Sequence, residues 1–376
     1  MAHDPRSPAV ALLGGSLRLG GAEGQAIHLL EWLVRSRFDP FLILKTREGD
    51  HLERAVDLGV PIYELGFHRL YTPAGLAAVK RLRAILQRHD AAILQSYLYG
   101  SHIAGTLALL GLTPRPRHIL ALRGHHLRRP YILKPFYTWA GRRADAAVAV
   151  SDDLARAAVG WGIPAERIQT IPNGVPPPPD DAAELRRRWR ERWGIPAESL
   201  LAGMVGNLRP GKGHADLLRA LAVVEEPSWR LVLVGDGRMR AAMEELAAEL
   251  GIGERVLFAG FLPAVRECLP ALDLFVFPSH SEGMPNALLE AMAAGLPCLA
   301  SDIPVHREIL KDERFGRLAP PGRPAELAEA LRTLLQAPAA ERRGLGAAAA
   351  RRIREAYSAD VMVRAYEALY DRLLAS

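Results

Sequence analysis

The sequence predicts an α/β protein made of two doubly wound, Rossmann-like domains facing across a cleft. Three observations predict it. The chain has 376 residues, too many for one ordinary core and suited to two domains. Short apolar runs alternate with segments of helical period along the whole chain, the pattern of a parallel sheet wrapped by helices. The stretch NGVPPPPDD, residues 173–181, interrupts the alternation near the middle. Four consecutive prolines make a stiff, extended connector that can continue neither a helix nor a central strand. The expected division is therefore a domain over residues 1–176, a second over 177–355, and a terminal helix over 356–376 opened by Ser358 as its N-cap.

The elements follow in order. PAVALLGG is an apolar run ending in glycines, a buried parallel strand with a tight turn. The segment that follows places Ala26, Leu29, Leu30 and Leu33 at helical spacing. PFLILKT and PIYELG read as the next strands, GLAAVKRLRAILQRH as a helix and AAILQSY as a strand. SHIAGTLALLG, RHILALRG, RRADAAVAVS, SDDLARAAVGWG and IQTIPNG continue the alternation, with Ser151 as an N-cap ahead of two first-turn acids. Beyond the prolines, LLAGMVGNL, WRLVLVGDG, RVLFAGF, LDLFVFPS, PCLASDI and GRLAPPG read as strands. HADLLRALAVV, MRAAMEELAAELG and MPNALLEAMAAG read as helices between them.

Composition removes several classes. Hydrophobic residues make up 49% of the chain and mean hydropathy is +0.01, the balance of a soluble globular protein. No apolar run reaches the roughly 20 residues that a spanning helix needs. Asp4 and two prolines interrupt the first fifteen residues, so no signal peptide is expected. Cys268 and Cys298 are the only cysteines, which suggests a reducing compartment and no metal site. His125 and His126 stand together without a neighbouring ligand, which argues against a metal there. Residues 1–174 hold 22 Lys and Arg against 14 Asp and Glu, a net +8, and the remainder of the chain is net −2. No run of Lys and Arg tracks a phosphate backbone, so nucleic acid is not expected as a partner.

In open parallel sheets ligands bind outside the carboxyl ends of strands, so the loops after strands carry the chemistry. Gly14-Gly15 and Gly20-Gly21 bracket the first such loop. Glycines let the backbone approach a ligand closely, and the helix after them offers free N–H groups, which suits a phosphate or a sugar. A plain turn is the alternative. GNLRPGKGH, residues 206–214, sets Arg209 and Lys212 on a glycine-rich turn, a point-charge clamp for a diphosphate. Phe261 in AGFLP could face a flat base, with core packing as the alternative.

The most informative stretch is SEGMPNALLEAMAAGLPCLAS, residues 281–301. Pro285 suits the first helical turn, where its missing N–H costs nothing. The N–H groups of Met284, Asn286 and Ala287 then form an anion site at the helix start. Glu282, just outside that start, can accept from hydroxyl groups. Glu290 lies inside the helix among Leu288, Leu289, Ala291 and Met292. A carboxylate so placed is costly unless something donates to it, and a ribose diol is a good donor pair. The competing reading leaves Glu290 on a solvated helix face.

With these residues the sequence resembles glycosyltransferase family 4, the retaining transferases of the GT-B fold. FVFPSHSEGMPNALLEAMAAGLPCLAS is similar to the family's paired-glutamate segment, GNLRPGKGH to its Arg/Lys diphosphate loop, and GGAEGQAIHLL to its N-terminal glycine loop. The resemblance covers essentially the whole chain. It implies that Arg209 and Lys212 stabilise the leaving nucleoside diphosphate, that Glu282 orients the donor sugar and that Glu290 holds the ribose. It further implies a donor-binding set of Gly20, Gly21, Asn207, Phe261, Gly283, Met284, Asn286, Ala287, Leu288 and Glu290. The terminal helix would cross back onto the N-terminal domain. The donor would be a UDP- or GDP-linked sugar, with retention of configuration, no metal and no other cofactor.

The acceptor half is less decided. Members of the family often carry a histidine in a loop after a strand of this domain; the resemblance leaves open whether His125, His126 or neither matches it, and His125 is the choice for a contact near the donor sugar. Arg123 and Arg128 are candidate acceptor ligands. Residues 128–139 interleave basic and aromatic side chains, which suits an anionic membrane surface; a buried helix with snorkelling cations is the alternative. The basic balance of this half favours a lipid-linked glycan acceptor, and a cytoplasmic enzyme peripheral on the inner face of the cytoplasmic membrane. A small soluble acceptor, or a binding protein without turnover, are the rival readings; the intact set of Arg209, Lys212, Glu282 and Glu290 argues against the last.

Overall fold

The structure is a computed structural model that describes residues 7–18, 20–67, 69–124, 134–226 and 228–375. The chain forms two compact units, one of residues 1–174 and 359–376, the other of residues 175–358. The first crossing lies between Gly174 and Val175. The second is at Ser358, directly before the terminal helix.

The first unit holds β1 (Ala9–Gly14), α1 (Gly21–Leu33), β2 (Asp39–Leu44), α2 (Leu52–Asp57), β3 (Ile62–Glu64), α3 (Pro73–Arg88), β4 (Ala91–Tyr97), α4 (Leu98–Leu109), β5 (Arg117–Leu122), α5 (Lys134–Arg143), β6 (Ala146–Ala149), α6 (Asp152–Gly160) and β7 (Ile168–Thr170). All seven strands are parallel, in the order β3-β2-β1-β4-β5-β6-β7. The order reverses between β1 and β4. Ser151 caps α6 as expected, accepting from Leu154 N at 3.2 Å, and Thr72 caps α3 by accepting from Gly75 N at 3.2 Å, with Pro73 in the first turn.

The terminal helix, numbered α15 (Ala359–Ala375), packs Met362, Tyr366, Leu369, Tyr370 and Leu373 into the core beneath β1 and β4. A buried polar network ties it down. Tyr370 donates to Gln95 Oε1 at 2.7 Å and Gln95 donates to the Tyr97 hydroxyl at 2.7 Å. Arg123 donates to the Tyr366 hydroxyl at 2.9 Å and to Asn173 Oδ1 at 2.7 Å, with its guanidinium over the Tyr97 ring. Buried polar groups are tolerated when paired in this way.

The second unit holds α7 (Ala182–Arg192), β8 (Leu200–Val205), α8 (His214–Ala222), β9 (Trp229–Val234), α9 (Arg240–Glu249), β10 (Val256–Gly260), α10 (Val265–Cys268), β11 (Leu274–Phe277), α11 (Asn286–Ala293), β12 (Cys298–Ser301), α12 (Pro304–Leu310), β13 (Arg317–Ala319), α13 (Pro324–Gln336) and α14 (Ala339–Ala356). Its six parallel strands run β10-β9-β8-β11-β12-β13. This is the doubly wound order with its reversal between β8 and β11, the place where such sheets open a crevice for ligands. The core is aliphatic around Trp229, and Arg255 lies 3.7 Å over that indole. Among the described residues no helix is long and apolar enough to cross a membrane.

Candidate active site

The two loops at the β8/β11 reversal are built against each other. The loop after β8 turns through Gly211 and Gly213, with φ of +83° and +80°, values that side-chain-bearing residues adopt only under strain. A Cβ on Gly213 would stand 2.1 Å from the Pro278 carbonyl oxygen. Only glycine lets the two loops approach so closely. His280 N donates to Gly211 O at 2.8 Å and closes the join. The His280 ring meets Asp216 Oδ2 on α8 at 2.6 Å.

That join brings Lys212 and Glu282 together. Lys212 Nζ donates to Glu282 Oε1 at 2.6 Å, and only 13% and 11% of the two side chains is exposed. A pair so short and so shielded is held far more firmly than a surface ion pair. The ammonium also lies 5.5 Å from the centre of the Phe277 ring. Ser279, fully buried, donates to Glu282 Oε1 at 2.6 Å. Arg209, on the outer side of the same loop, is exposed, and its guanidinium has no partner among the described residues. Asn207 is exposed beside it.

Beneath this pair lies a histidine that the sequence did not single out. His306 is fully buried, with Nδ1 2.7 Å from Ser301 O and 3.1 Å from Ser301 Oγ. A carbonyl can only accept, so Nδ1 carries the proton. Its Nε2 is buried without a partner among the described residues. Burial pushes the imidazole down to about 4, with Lys212 adding to that effect and Glu282 opposing it. His214, at the start of α8, is likewise pushed to about 4 by burial and by Lys212. Both rings stay neutral near the ammonium.

Pro285 is the N-cap of α11, one residue before the helix and not in its first turn as expected. Leu289 N donates to Pro285 O at 3.2 Å. The amides of Ala287 and Leu288 therefore have no helical acceptor, and the helix start next to Gly283 and Met284 is suited to an anion. Glu290 is partly buried. Its carboxyl is pushed up to about 7 by desolvation, with Arg266 only partly offsetting that rise. It has no hydrogen bond or ion pair among the described residues. The carboxyl is therefore partly desolvated, with no donor among the described residues. Phe261, directly after β10, is 47% exposed, so it does not pack in the core.

In the first unit Gly20 is the N-cap of α1 and Gly21 its first residue. Glu23 folds back over Gly20 and lines a small cavity with Gly14, Gly15, Tyr97 and Leu98. Arg123 spends its terminal amines on Asn173 and Tyr366, as described above, and so has a structural occupation that the sequence did not reveal. His125, His126 and Arg128 lie outside the described residues. Of the interleaved segment, Lys134 and Phe136 are exposed while Tyr137 is buried against Tyr99.

The profile described as Glycosyltransferase Family 4 matches residues 19–177, and the one described as Glycosyl transferases group 1 matches residues 186–352. Together they span both units. The chain belongs to the family 4-like glycosyltransferases. Two curated relatives agree along most of its length. The lipopolysaccharide core biosynthesis glycosyltransferase LpsD of Rhizobium meliloti is 28% identical over 94% of this chain and 95% of its own. The N-acetyl-alpha-D-glucosaminyl L-malate synthase of Bacillus anthracis is 27% identical over 80% of each. Among solved structures, Anabaena HepE in complex with UDP and glucose superposes with a TM-score of 0.85 at 19% identity, over 97% of this chain and 100% of that one. It establishes the shared GT-B fold.

Within this transferase, Ser279, Ser301, His214 and His306 are the site neighbours that sequence reasoning missed. Serine after a strand and histidine in an apolar helix have no spacing signature. Only the crossing of the two loops shows what they support.

Proposed function

We propose that this transferase moves a hexose from a UDP- or GDP-linked sugar to a glycan acceptor, with retention at the anomeric carbon and without a metal or other cofactor. The observation that carries the proposal is the shielded Lys212–Glu282 pair, 2.6 Å apart at the sheet reversal. In this reading Lys212 and the unpaired Arg209 meet the diphosphate, together with the amides of Ala287 and Leu288. As the bond from the anomeric carbon to the diphosphate oxygen breaks, negative charge grows on that oxygen. Fixed cations and aligned amides stabilise it more than they stabilise the ground state. Glu282 accepts from hydroxyl groups of the donor sugar. Glu290 accepts from the ribose diol and stays ionised once those donors replace the missing water. Phe261 offers its ring to the base. HepE, of the same fold, was solved with UDP and glucose, which supports a uridine donor.

The acceptor is read as a lipid-linked glycan in cell-surface polysaccharide or lipopolysaccharide synthesis. LpsD acts in lipopolysaccharide core biosynthesis by its description. The +8 balance of residues 1–174, with exposed Phe136 beside Lys134 and exposed Tyr71 under Arg69, suits peripheral attachment to an anionic leaflet from the cytoplasmic side. A small soluble acceptor is the second reading, favoured by the likeness to the malate-glycosylating enzyme of Bacillus anthracis. Co-sedimentation with anionic vesicles, lost at high salt, supports the first; no binding at any salt supports the second.

A thermal-shift screen against nucleotide sugars tests the donor assignment. At one hundred times its dissociation constant a donor stabilises by about 2.7 kcal/mol, and a domain of this size melts about 5–10 °C higher. Lys212→Ala should abolish most of that shift. Absence of a shift with every UDP- and GDP-sugar would contradict the proposal.

A further inference from the structure

Glu282 is held by one oxygen only. Lys212 Nζ and Ser279 Oγ both donate to Oε1, each at 2.6 Å. Oε2 has no partner among the described residues. A carboxylate with two donors on one oxygen cannot turn without breaking both bonds, so the direction of its free oxygen is fixed.

Ser279 is built for this single task. Its hydroxyl has one proton and two acceptors in reach, Glu282 Oε1 at 2.6 Å and Gly211 O at 3.3 Å. The shorter bond, to a charged acceptor, is the stronger one. The backbone of Ser279 is fixed from the other side. Ser301 donates its hydroxyl to Ser279 O. Ser301 O in turn accepts the Nδ1 proton of His306, 2.7 Å away. Ser279, Ser301 and His306 are each at most 1% exposed, so water cannot replace any member of this column.

We infer that Ser279 is a positioning residue: together with Lys212 it pins Glu282 through Oε1 and thereby presents Oε2 to a hydroxyl of the donor sugar. The inference rests on the reading of Glu282 as the carboxylate that meets that sugar. Without the Ser279 hydroxyl, Glu282 is free to swing and lay both oxygens on Lys212. That would remove the free acceptor.

The test is steady-state turnover of the nucleotide sugar that stabilises the wild type, together with direct binding of the matching nucleoside diphosphate. Ser279→Ala is expected to lower kcat about 10- to 100-fold, the range of a lost positioning contact. Binding of the nucleoside diphosphate, which does not reach Oε2, should change less than about twofold and so reports an intact fold. Ser279→Cys, a weak donor of similar shape, should fall between the two. The double variant Ser279→Ala, Glu282→Gln should be no slower than Glu282→Gln alone, because Ser279 acts only through Glu282. A double variant slowed by the product of the single losses, a Ser279→Ala enzyme as fast as wild type, or nucleotide binding lost with turnover would each overturn the inference. Wild-type protein that turns over no nucleotide sugar would instead remove the reading of Glu282 itself, and this inference with it.

Discussion

Replacing Glu290 by glutamine should make the unliganded protein more stable above neutral pH while weakening its grip on the donor. The Glu290 carboxyl moves from an ordinary 4.5 up to about 7 in the folded chain, through desolvation. Below about pH 4 the folded and unfolded chains both hold its proton, and the group contributes no difference. Between those values the folded chain binds more protons than the unfolded one, so stability falls as pH rises. Above about pH 7 the full penalty applies. A shift of roughly 2.5 pH units at about 1.4 kcal/mol each gives a ceiling near 3 kcal/mol. Glutamine keeps the shape without the charge. Its melting temperature should equal wild type near pH 4 and exceed it by up to about 6–12 °C near pH 8, the range for a unit of this size. Donor binding should move the other way. Hydrogen bonds to a charged acceptor contribute about 1.5–3 kcal/mol, so affinity should drop roughly 10- to 100-fold. Differential melting across pH, with and without nucleotide, reads both effects. A Glu290→Gln gain that does not grow with pH, or a variant that melts lower near pH 8, would refute the idea of a dry carboxylate awaiting its donors.

Lys212→Ala should lower turnover about 10²- to 10³-fold, the loss typical of one transition-state donor; near-normal rates in a donor-saturated assay would remove Lys212 from the mechanism. Gly213→Ala should uncouple the two loops and cost both activity and melting temperature, because its Cβ would meet the Pro278 carbonyl at 2.1 Å; a variant with unchanged melting and turnover would contradict that join. His102 and His118 are held near 3, and His214 and His306 near 4, all chiefly by burial. The folded chain therefore binds fewer protons than the unfolded one below the ordinary histidine value of 6.5, and stability present above that value is lost as pH falls toward 4. Four imidazoles outweigh the opposite trend of Glu290, so melting should drop steeply on acidification; a flat profile between about pH 7 and 4 would contradict neutral burial. Tyr366→Phe leaves one Arg123 amine without its acceptor and should destabilise by about 1–3 kcal/mol, measured by denaturant melting, with little change in nucleotide binding.

Much of the fold was legible because each element has a local cause. The apolar run of β1, the Ser151 cap and the proline block all announce themselves within a few residues. The order of strands does not, because pairing β8 with β11 is a decision made by packing across some 70 residues. The site divides in the same way. Glycines beside Arg209 and Lys212, and the carboxylates 282 and 290, stand out by type and spacing. That Lys212 closes directly on Glu282 depends on Gly213 meeting Pro278, a long-range contact without a motif. Pro285 was misplaced by one residue because capping geometry depends on how the preceding loop enters the helix. Arg123 follows a strand and reads as a ligand; its true partners, Asn173 and Tyr366, come from distant parts of the chain. Ser279 and His306 had no signal at all, since a buried serine or histidine is ordinary until its neighbours are known.

The most direct test is a crystal structure with an intact nucleotide sugar or its nucleoside diphosphate bound. The account predicts diphosphate oxygens within hydrogen-bond reach of Lys212 Nζ and the amides of Ala287 and Leu288, ribose hydroxyls on Glu290, and a sugar hydroxyl on Glu282 Oε2. A diphosphate seated anywhere else, with Glu290 still bare, would contradict it.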